Sequence, residues 1–350
     1  MHLLDDISAG LEQLRQQHGL PAYRAKQIRG WLFARRAADW QAMSDLPQAL
    51  REKLAAETPL WRTSILKHNR SEDGTEKLLL QLEKGGQVEC VLIRGRLRRT
   101  FCISTQVGCG MGCVFCASGI GGVDRNLSTG EIVEQMLRLQ HLLEPDERVS
   151  HIVVMGMGEP LANLPALLPA LAEASREDGL GISPRRITVS TVGLPAGIRK
   201  LAGHDPHYRL AVSLHAPNDE LRNQIVPVND KIGIQAILEA ADEYFAASRR
   251  RMTFEYVLLG GLNDSPHHAA ELARLLRGRE TILNVIPYNP VPGLPYQTPT
   301  PAAQQAFREV LERGGVAIHF RQRKGDAINA ACGQLRRDVS GSPLPVVRGP

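Results

Sequence analysis

The sequence predicts an α/β fold in which about six strand–helix units form a full or partial (β/α)6 barrel, preceded by a small helical domain and a short β extension. From residue 101 onward, candidate strands and helices alternate, a pattern typical of a parallel sheet covered by helices. Residues 1 to about 60 have helical periodicity and no strand pattern. Short β-rich runs lie between these two parts, separated by turn signals at 73–74 and 85–86.

These patterns divide the 350-residue chain into four parts. We assign 1–63 to a helical accessory domain, 64–100 to the β extension, 101–337 to the barrel and 338–350 to a loose tail rich in Pro, Gly and Ser. The predicted barrel strands are 101–107, 151–157, 187–192, 209–215, 252–259, 281–289 and 316–321. The predicted barrel helices are 129–143, 165–175, 195–202, 234–247, 266–276 and 301–313. Ser128 and Glu131 match a capping box at the start of the first of these helices.

Composition and charge exclude several classes of protein. With 43% hydrophobic and 23% charged residues, the chain is not a disordered, collagen-like or coiled-coil protein. No apolar run approaches the roughly 18 residues of a membrane span, and acids stand where a secretory signal has a basic flank. We therefore expect a cytoplasmic protein. The net charge of +5 permits a nucleic-acid partner, and the arginines between Arg94 and Arg99 suit phosphate contacts.

The most informative feature is a cluster of three cysteines, Cys109, Cys113 and Cys116, with the spacing C-x3-C-x2-C. It follows the first predicted barrel strand, and its interleaved glycines allow a tight loop. Three thiolates with no neighbouring fourth ligand favour an iron–sulfur cluster that leaves one iron open. The alternative is a structural zinc site that recruits a distant fourth ligand such as Cys102.

Several polar residues stand at the carboxyl ends of the predicted strands, where the sites of barrel enzymes assemble. Each alone has an ordinary explanation, such as a turn or a core histidine, but their shared position favours one binding site. These residues are Gly158 and Glu159 after the second strand, Ser190 after the third, Ser213, Leu214 and His215 after the fourth, and Asn289 after the sixth.

Taken together, the cysteine motif and four further segments resemble a known family. The segments are FCISTQVGC at 101–109, GMGEP at 156–160, SLHAPND at 213–219 and AACGQL at 330–335. The cysteine motif resembles the radical-SAM superfamily, and the whole set resembles the RlmN family of RNA methyltransferases over about residues 20–337. The resemblance implies one [4Fe-4S] cluster on the three cysteines. It also implies that the strand-end residues bind S-adenosylmethionine (SAM), of which two molecules are used per turnover.

The resemblance also implies a catalytic role for three further residues. Cys332 matches the cysteine that carries the methyl group, Cys102 matches the resolving cysteine that forms a transient disulfide with it, and Glu89 matches the proton acceptor. The chemistry agrees, because C2 of adenine is electron-poor and cannot attack a sulfonium, whereas a thiolate accepts a methyl group readily. Cys90 is adjacent to Glu89 but would face the other side of a strand, so it receives no role.

The implied substrates are an adenine in the peptidyl-transferase centre of 23S rRNA and the tRNA adenine 3′ to the anticodon, both methylated at C2. Methylation at C8 by a Cfr-type enzyme is the alternative. The family's electron donor would be a flavodoxin or a ferredoxin, and we expect a monomer. Two other classes stay open: a non-enzymatic iron–sulfur or zinc RNA-binding protein, and a radical-SAM enzyme for small molecules. The helical N-terminal part argues against the second, because a small substrate does not need a basic appendage.

Overall fold

The computed structural model describes residues 2–204, 207–321, 325 and 328–335. Its N-terminal part is helical, as the sequence predicts, and the described residues there form three helices: α1 (Ile7–Gln17), α2 (Ala22–Phe33) and α3 (Gln48–Glu57). The Asp6 side chain caps α1 by accepting a hydrogen bond from the Ala9 N–H at 2.9 Å. These helices pack against the barrel, and the guanidinium of Arg36 donates to the Leu143 and Glu144 carbonyl oxygens, both at 3.0 Å.

The β extension is an antiparallel meander of four strands: β1 (Thr63–Arg70), β2 (Glu76–Leu82), β3 (Gln87–Arg94) and β4 (Arg99–Cys102). Its turns fall at the predicted positions. The meander is part of the barrel sheet, however, because β4 pairs with the next barrel strand in parallel. The division at residue 100 therefore falls inside β4 rather than between two separately folded units.

The barrel contains seven strands that pair in parallel from β4 onward, which confirms the predicted α/β class. After β4 come β7 (His151–Val154), β8 (Ile187–Thr191), β9 (Arg209–Ser213), β10 (Met252–Leu258), β11 (Thr281–Pro287) and β12 (Ile318–Phe320). Ten of the described strands form one sheet in the order β1-β2-β3-β4-β7-β8-β9-β10-β11-β12. Its helices are α4 (Thr129–Gln140), α5 (Leu164–Ser175), α6 (Pro195–His204), α7 (Asp219–Ile225), α8 (Ile234–Ser248), α9 (Pro266–Leu276) and α10 (Pro301–Arg313).

The first predicted barrel strand, 101–107, is wrong as a single strand. The structure ends β4 at Cys102 and starts a separate two-stranded hairpin, β5 (Gln106–Gly108) with β6 (Val123–Asn126). The break has a physical cause. The Gln135 side-chain oxygen accepts the Ser104 N–H at 2.8 Å, and the Gln135 amide donates to the Ser104 carbonyl at 3.0 Å, so α4 takes the hydrogen bonds that a continuing strand would use.

The core lies between the sheet and the outer helices, and all of β10 except Thr253 is buried. In the described part of the chain, no helix combines the length and the apolar character needed to cross a bilayer. The predicted tail at 338–350 lies outside the described residues.

The capping box of α4 generates a stability prediction. The Ser128 hydroxyl accepts the Glu131 N–H, the Glu131 carboxylate accepts the Ser128 N–H at 2.9 Å, and the hydroxyl also bonds Asp5 at 2.6 Å. Ser128→Ala removes the hydroxyl's bonds and should lower the free energy of unfolding by about 1–2 kcal/mol, measured by chemical denaturation. The matched control is Ser183→Ala, because Ser183 is exposed and makes no side-chain cap bond. Equal losses in the two variants would contradict the assignment.

Candidate active site

The three cysteines of the motif lie on a tight loop between β5 and β6. The Cys109 N–H donates to the Gly122 carbonyl at 2.9 Å, which closes the loop, and the Cys116 N–H donates to the Cys113 carbonyl at 3.1 Å. Gly112 adopts a φ of 70°, which a side chain would strain. The glycines of the motif thus serve the tight loop that the sequence predicts.

The thiols of this loop are suited to a metal cluster rather than to solvent. Burial raises the pKa of Cys109 to about 12 and raises the pKa of Cys113 and Cys116 as well. Without a bound cation, these thiols therefore stay protonated. Iron ions would supply the positive charge that stabilises three neighbouring thiolates, so the residues fit the cluster that the sequence implies.

The charged groups around Cys102 give no support to its being a fourth zinc ligand. Among the described residues, no group of three or more His, Cys, Asp or Glu side chains is arranged to hold a metal ion, and this holds for the three motif cysteines as well. Cys102 lies on β4, and the charged groups that act on its thiol are Cys332 and Arg321 rather than the cysteines of the motif. Cys102 is therefore associated with Cys332, as its predicted role requires.

Arg222 is a fully buried arginine directly behind the cysteine loop. Its guanidinium donates to the Leu214 and Ser213 carbonyl oxygens, both at 2.9 Å, and to the Val192 carbonyl beyond the end of β8. Burial lowers the pKa of Arg222 to about 10, and the charge of Cys113 acts in the opposite direction. The arginine stays cationic at neutral pH and places positive charge beside the cysteine loop.

The cysteine loop and the strand ends enclose a cavity of about 150 Å³. Its lining includes all three motif cysteines and most of the predicted strand-end residues: Gly158, Glu159, Ser190, Ser213 and His215. Leu214 is buried and does not line it. Asn289 lines a neighbouring cavity of about 490 Å³, together with His319 and Phe320. Ile286, Arg321 and Cys332 line both cavities, so the two meet at Cys332.

Glu159 is buried, and both of its carboxylate oxygens accept backbone hydrogen bonds. Oε1 accepts the Leu161 N–H at 2.9 Å and Oε2 accepts the Val192 N–H at 2.8 Å. Burial raises the pKa of Glu159 to about 6, even though these bonds favour the charged form. Gly158 has a φ of 101°, and a Cβ at this position would lie 2.6 Å from the side chain of Gln106. The close packing of the backbone at 158 against Gln106 therefore requires glycine.

His215 is neutral in the site, and its protonated nitrogen can be assigned. Its Nδ1 accepts the Val257 N–H at 3.1 Å, which leaves the proton on Nε2. Burial, together with the nearby Arg222, lowers the pKa of His215 to about 3. The ring packs edge-on against Phe115 with the ring centroids 4.9 Å apart. His215 therefore offers a neutral N–H donor at the end of β9.

The segment that carries Cys332 returns to the mouth of the barrel and is held against the cysteine loop. The Ala117 N–H donates to the Gly333 carbonyl at 2.8 Å, and the Ser118 hydroxyl donates to the Leu335 carbonyl at 2.6 Å. Asn289 donates its amide to the Cys332 carbonyl at 3.3 Å. These contacts place Cys332 beside the cysteine loop, although the two are far apart in sequence.

Cys332 also contacts a guanidinium and lies near the predicted resolving cysteine. Arg321 Nη1 lies 3.4 Å from Cys332 Sγ, and the charge of Cys332 raises the pKa of Arg321. Burial, and after it the charge of Cys332, raises the pKa of Cys102 to about 12. All six cysteines are free thiols, so the structure contains no disulfide between Cys102 and Cys332.

Glu89 lies on the same sheet face as Cys102. Glu89 pairs with Leu79 on β2. Val91, two residues further along β3 and so on the same face as Glu89, pairs with Cys102 on β4. Glu89 is buried, and its carboxylate forms an ion pair with Lys77 at 2.7 Å. It is not among the residues that line either of the two cavities. Cys90 faces the opposite side of β3, as the alternation of side chains predicts.

The site contains residues that sequence reasoning missed. Lys77 joins two parts of the site, because its ammonium bonds both Glu89 and the Asn329 carbonyl at 3.0 Å. Glu255 lines the smaller cavity from the middle of β10. The sequence alone could have marked Glu255 as a site residue, since a lone acid inside an apolar strand has few structural explanations. Nothing in the sequence marks Arg222, which lies in an ordinary polar helix.

The partial barrel, the three-cysteine loop and the enclosed cavity define a radical-SAM enzyme. The model of the radical SAM superfamily matches residues 103–273, and the model of the ribosomal RNA large subunit methyltransferase N-terminal domain matches residues 1–59. The chain belongs to the RlmN family of RNA methyltransferases.

Individual relatives agree with this assignment along nearly the whole chain. The chain is 61% identical to a Rhodopirellula baltica protein named probable dual-specificity RNA methyltransferase RlmN, over 96% of this chain and 91% of the relative. It is 44% identical to a Picosynechococcus protein of the same name, covering 94% of each. A crystal structure of a radical SAM methyltransferase from Sphaerobacter thermophilus superposes with a TM-score of 0.91 at 42% identity, covering 96% of this chain and 99% of that one.

The Lys77–Glu89 ion pair generates a second prediction. Both residues are buried, so Lys77→Met takes the ammonium partner away from a buried carboxylate. The free energy of unfolding should fall by about 3–5 kcal/mol, measured by chemical denaturation. Adding Glu89→Gln to Lys77→Met should restore much of this loss, because neither charge is then buried. A loss of only a few tenths of a kcal/mol, as for exposed pairs, would show that the pair contributes no buried charge interaction.

Proposed function

We propose that this enzyme methylates C2 of an adenine in the peptidyl-transferase centre of 23S rRNA and of the tRNA adenine 3′ to the anticodon. The observation that carries the proposal is the position of Cys332. It lies where a small cavity next to the cysteine loop meets a larger cavity of about 490 Å³. A methyl carrier between a donor and an acceptor needs this position, and the larger cavity suits a base taken out of its stack.

Cys109, Cys113 and Cys116 would hold one [4Fe-4S] cluster, and the smaller cavity would hold SAM against Gly158, Glu159, Ser190, Ser213 and His215. Leu214 and Asn289 would support this site from its edge. Together, the cluster and SAM supply a 5′-deoxyadenosyl radical, which no protein side chain can generate. Two SAM molecules are used per turnover, one as the methyl donor to Cys332 and one as the radical source.

Cys332 would accept the methyl group as a thiolate, and Arg321 supports this role by facing its sulfur at 3.4 Å. The Cys332 methyl group would lose one hydrogen atom to the 5′-deoxyadenosyl radical, and the resulting methylene radical would add to C2 of adenine. The bridged adduct would then give up one electron to the cluster and the proton of C2 to Glu89, whose carboxylate is balanced by Lys77 until then. Cys102 would then attack the Cys332 sulfur as a thiolate. The C–S electron pair would leave on the bridging carbon, which takes a proton to become the methyl group, and a transient disulfide between Cys102 and Cys332 would remain.

RNA would bind through the N-terminal helices and through the turn between β3 and β4. Within that turn the arginines are not equivalent. Arg94 forms ion pairs with Glu76 and Glu147, and Arg99 pairs with Glu147, whereas Arg96 and Arg98 are exposed. The phosphate contacts are therefore assigned to Arg96 and Arg98. We further propose a monomer in the cytoplasm that receives electrons from a flavodoxin or a ferredoxin.

Three alternatives are separated by different observations. Cfr-type methylation at C8 would use the same residues and would differ only in the carbon presented to Cys332, so product analysis distinguishes it. A non-enzymatic RNA-binding protein does not need a thiol between two cavities. A radical-SAM enzyme for small molecules does not need the N-terminal helices.

The Cys332 and Cys102 variants test the proposal directly. Cys332→Ala should retain iron and sulfide but transfer no methyl group, because it lacks the carrier. Cys102→Ala should reach the carbon-bridged state and stall there, because no thiol releases Cys332. On a denaturing gel after reaction with labelled RNA, Cys102→Ala should give a nuclease-sensitive shifted band that Cys332→Ala does not give. Normal methyl transfer by Cys332→Ala would overturn the assignment.

A further inference from the structure

Among the described residues, two carboxylates line the cavity assigned to SAM, and they differ in their partners. Glu159 lies on the side of the cysteine loop, where its charge raises the pKa of Cys109 and Cys113. Both of its oxygens accept backbone N–H groups. Its charge is thus already partly stabilised by the protein itself.

Glu255 is the other carboxylate, and one of its oxygens has no partner. It projects from the middle of β10, level with Ser213 on β9 and Asn284 on β11. Its Oε1 accepts the Asn284 amide at 3.0 Å, but its Oε2 is buried without a hydrogen-bond partner among the described residues. The residue is only 4% exposed. An unsatisfied carboxylate oxygen at such depth is costly, so this oxygen points to a ligand group that complements it.

The surroundings of Glu255 indicate which end of the ligand it would meet. The guanidinium of Arg321 acts on Glu255 electrostatically and contacts Cys332 Sγ, so Glu255 lies on the Cys332 side of the cavity. Methyl transfer to Cys332 requires the sulfonium carbon of SAM to approach Cys332 Sγ. The sulfonium of the bound donor is therefore close to Glu255, whereas Glu159 lies toward the cysteine loop.

We propose that Glu255 is the counter-charge for the sulfonium of SAM and thereby selects SAM over its neutral thioether product, S-adenosylhomocysteine. The two molecules share the adenine, ribose, ammonium and carboxylate, and they differ by one methyl group and one positive charge. A carboxylate beside the sulfur discriminates between them by that charge. It also favours release of the product after Cys332 has been methylated. This inference rests on the proposed function, because it assumes that the cavity binds SAM.

The test compares the affinities of the reconstituted, cluster-containing enzyme for SAM and for S-adenosylhomocysteine, measured anaerobically by calorimetry. Glu255→Gln keeps the shape and the Asn284 contact but removes the charge. It should weaken SAM binding at least about tenfold and leave S-adenosylhomocysteine binding nearly unchanged. The matched control is Glu239→Gln on the exposed side of α8, which should change neither affinity.

Each other outcome has a definite meaning. Equal weakening of both ligands in Glu255→Gln would overturn the proposal, because the carboxylate would then contact a group that the ligands share. No change in either affinity would overturn it as well. Wild-type enzyme that binds neither ligand would instead refute the proposed function. The iron content of the reconstituted variant and the melting temperature of its apo form show whether Glu255→Gln is folded before the affinities are compared.

Discussion

The buried guanidinium of Arg222 is the constraint on which the site depends. It joins the ends of two neighbouring strands by donating to the carbonyl oxygens of Val192, Ser213 and Leu214, which lie at or just beyond the ends of β8 and β9. It also places a positive charge behind Cys113. A buried cation is costly unless it is fully bonded, so the geometry of these strand ends is fixed by the need to satisfy it. The smaller cavity lies at these strand ends, because Val192 and Ser213 are among the residues that line it.

The rest of the site is formed where three segments meet at these strand ends: the cysteine loop, the segment around Cys332 and the β extension. The cysteine loop carries Cys109, Cys113 and Cys116, and the segment around Cys332 is held against it by the Ala117 and Ser118 hydrogen bonds. The β extension supplies Glu89 and Lys77, and Lys77 reaches the Asn329 carbonyl next to the Cys332 segment. Since β4 belongs to both the extension and the barrel, Glu89 and Cys102 share one sheet face. The roles proposed for these two residues therefore depend on the continuity of the sheet.

Much of this arrangement could be predicted from the sequence, because the strand ends and the cysteine spacing are local patterns. The alternation of strands and helices, the capping box at Ser128 and the position of the cysteine loop after the first strand all have local signals. The break at Ser104 has none, because it depends on Gln135 from a helix that packs there only in the folded state. Arg222 and Lys77 were missed for the same reason, since their partners are carbonyl oxygens and a carboxylate on other elements. Glu255 could have been found as an acid within an apolar strand, but its unpartnered oxygen is visible only in three dimensions.

Under the proposed function, the carbon added to RNA passes through Cys332 as a methylene group. Mass spectrometry of RNA nucleosides after reaction with SAM whose methyl group is fully deuterated measures this passage. Because a hydrogen would be removed from the Cys332 methyl group before the carbon reaches the base, we expect 2-methyladenosine in which that methyl group has lost one deuterium. Transfer of the intact deuterated methyl group, or a methyl group found elsewhere than on C2, would contradict it.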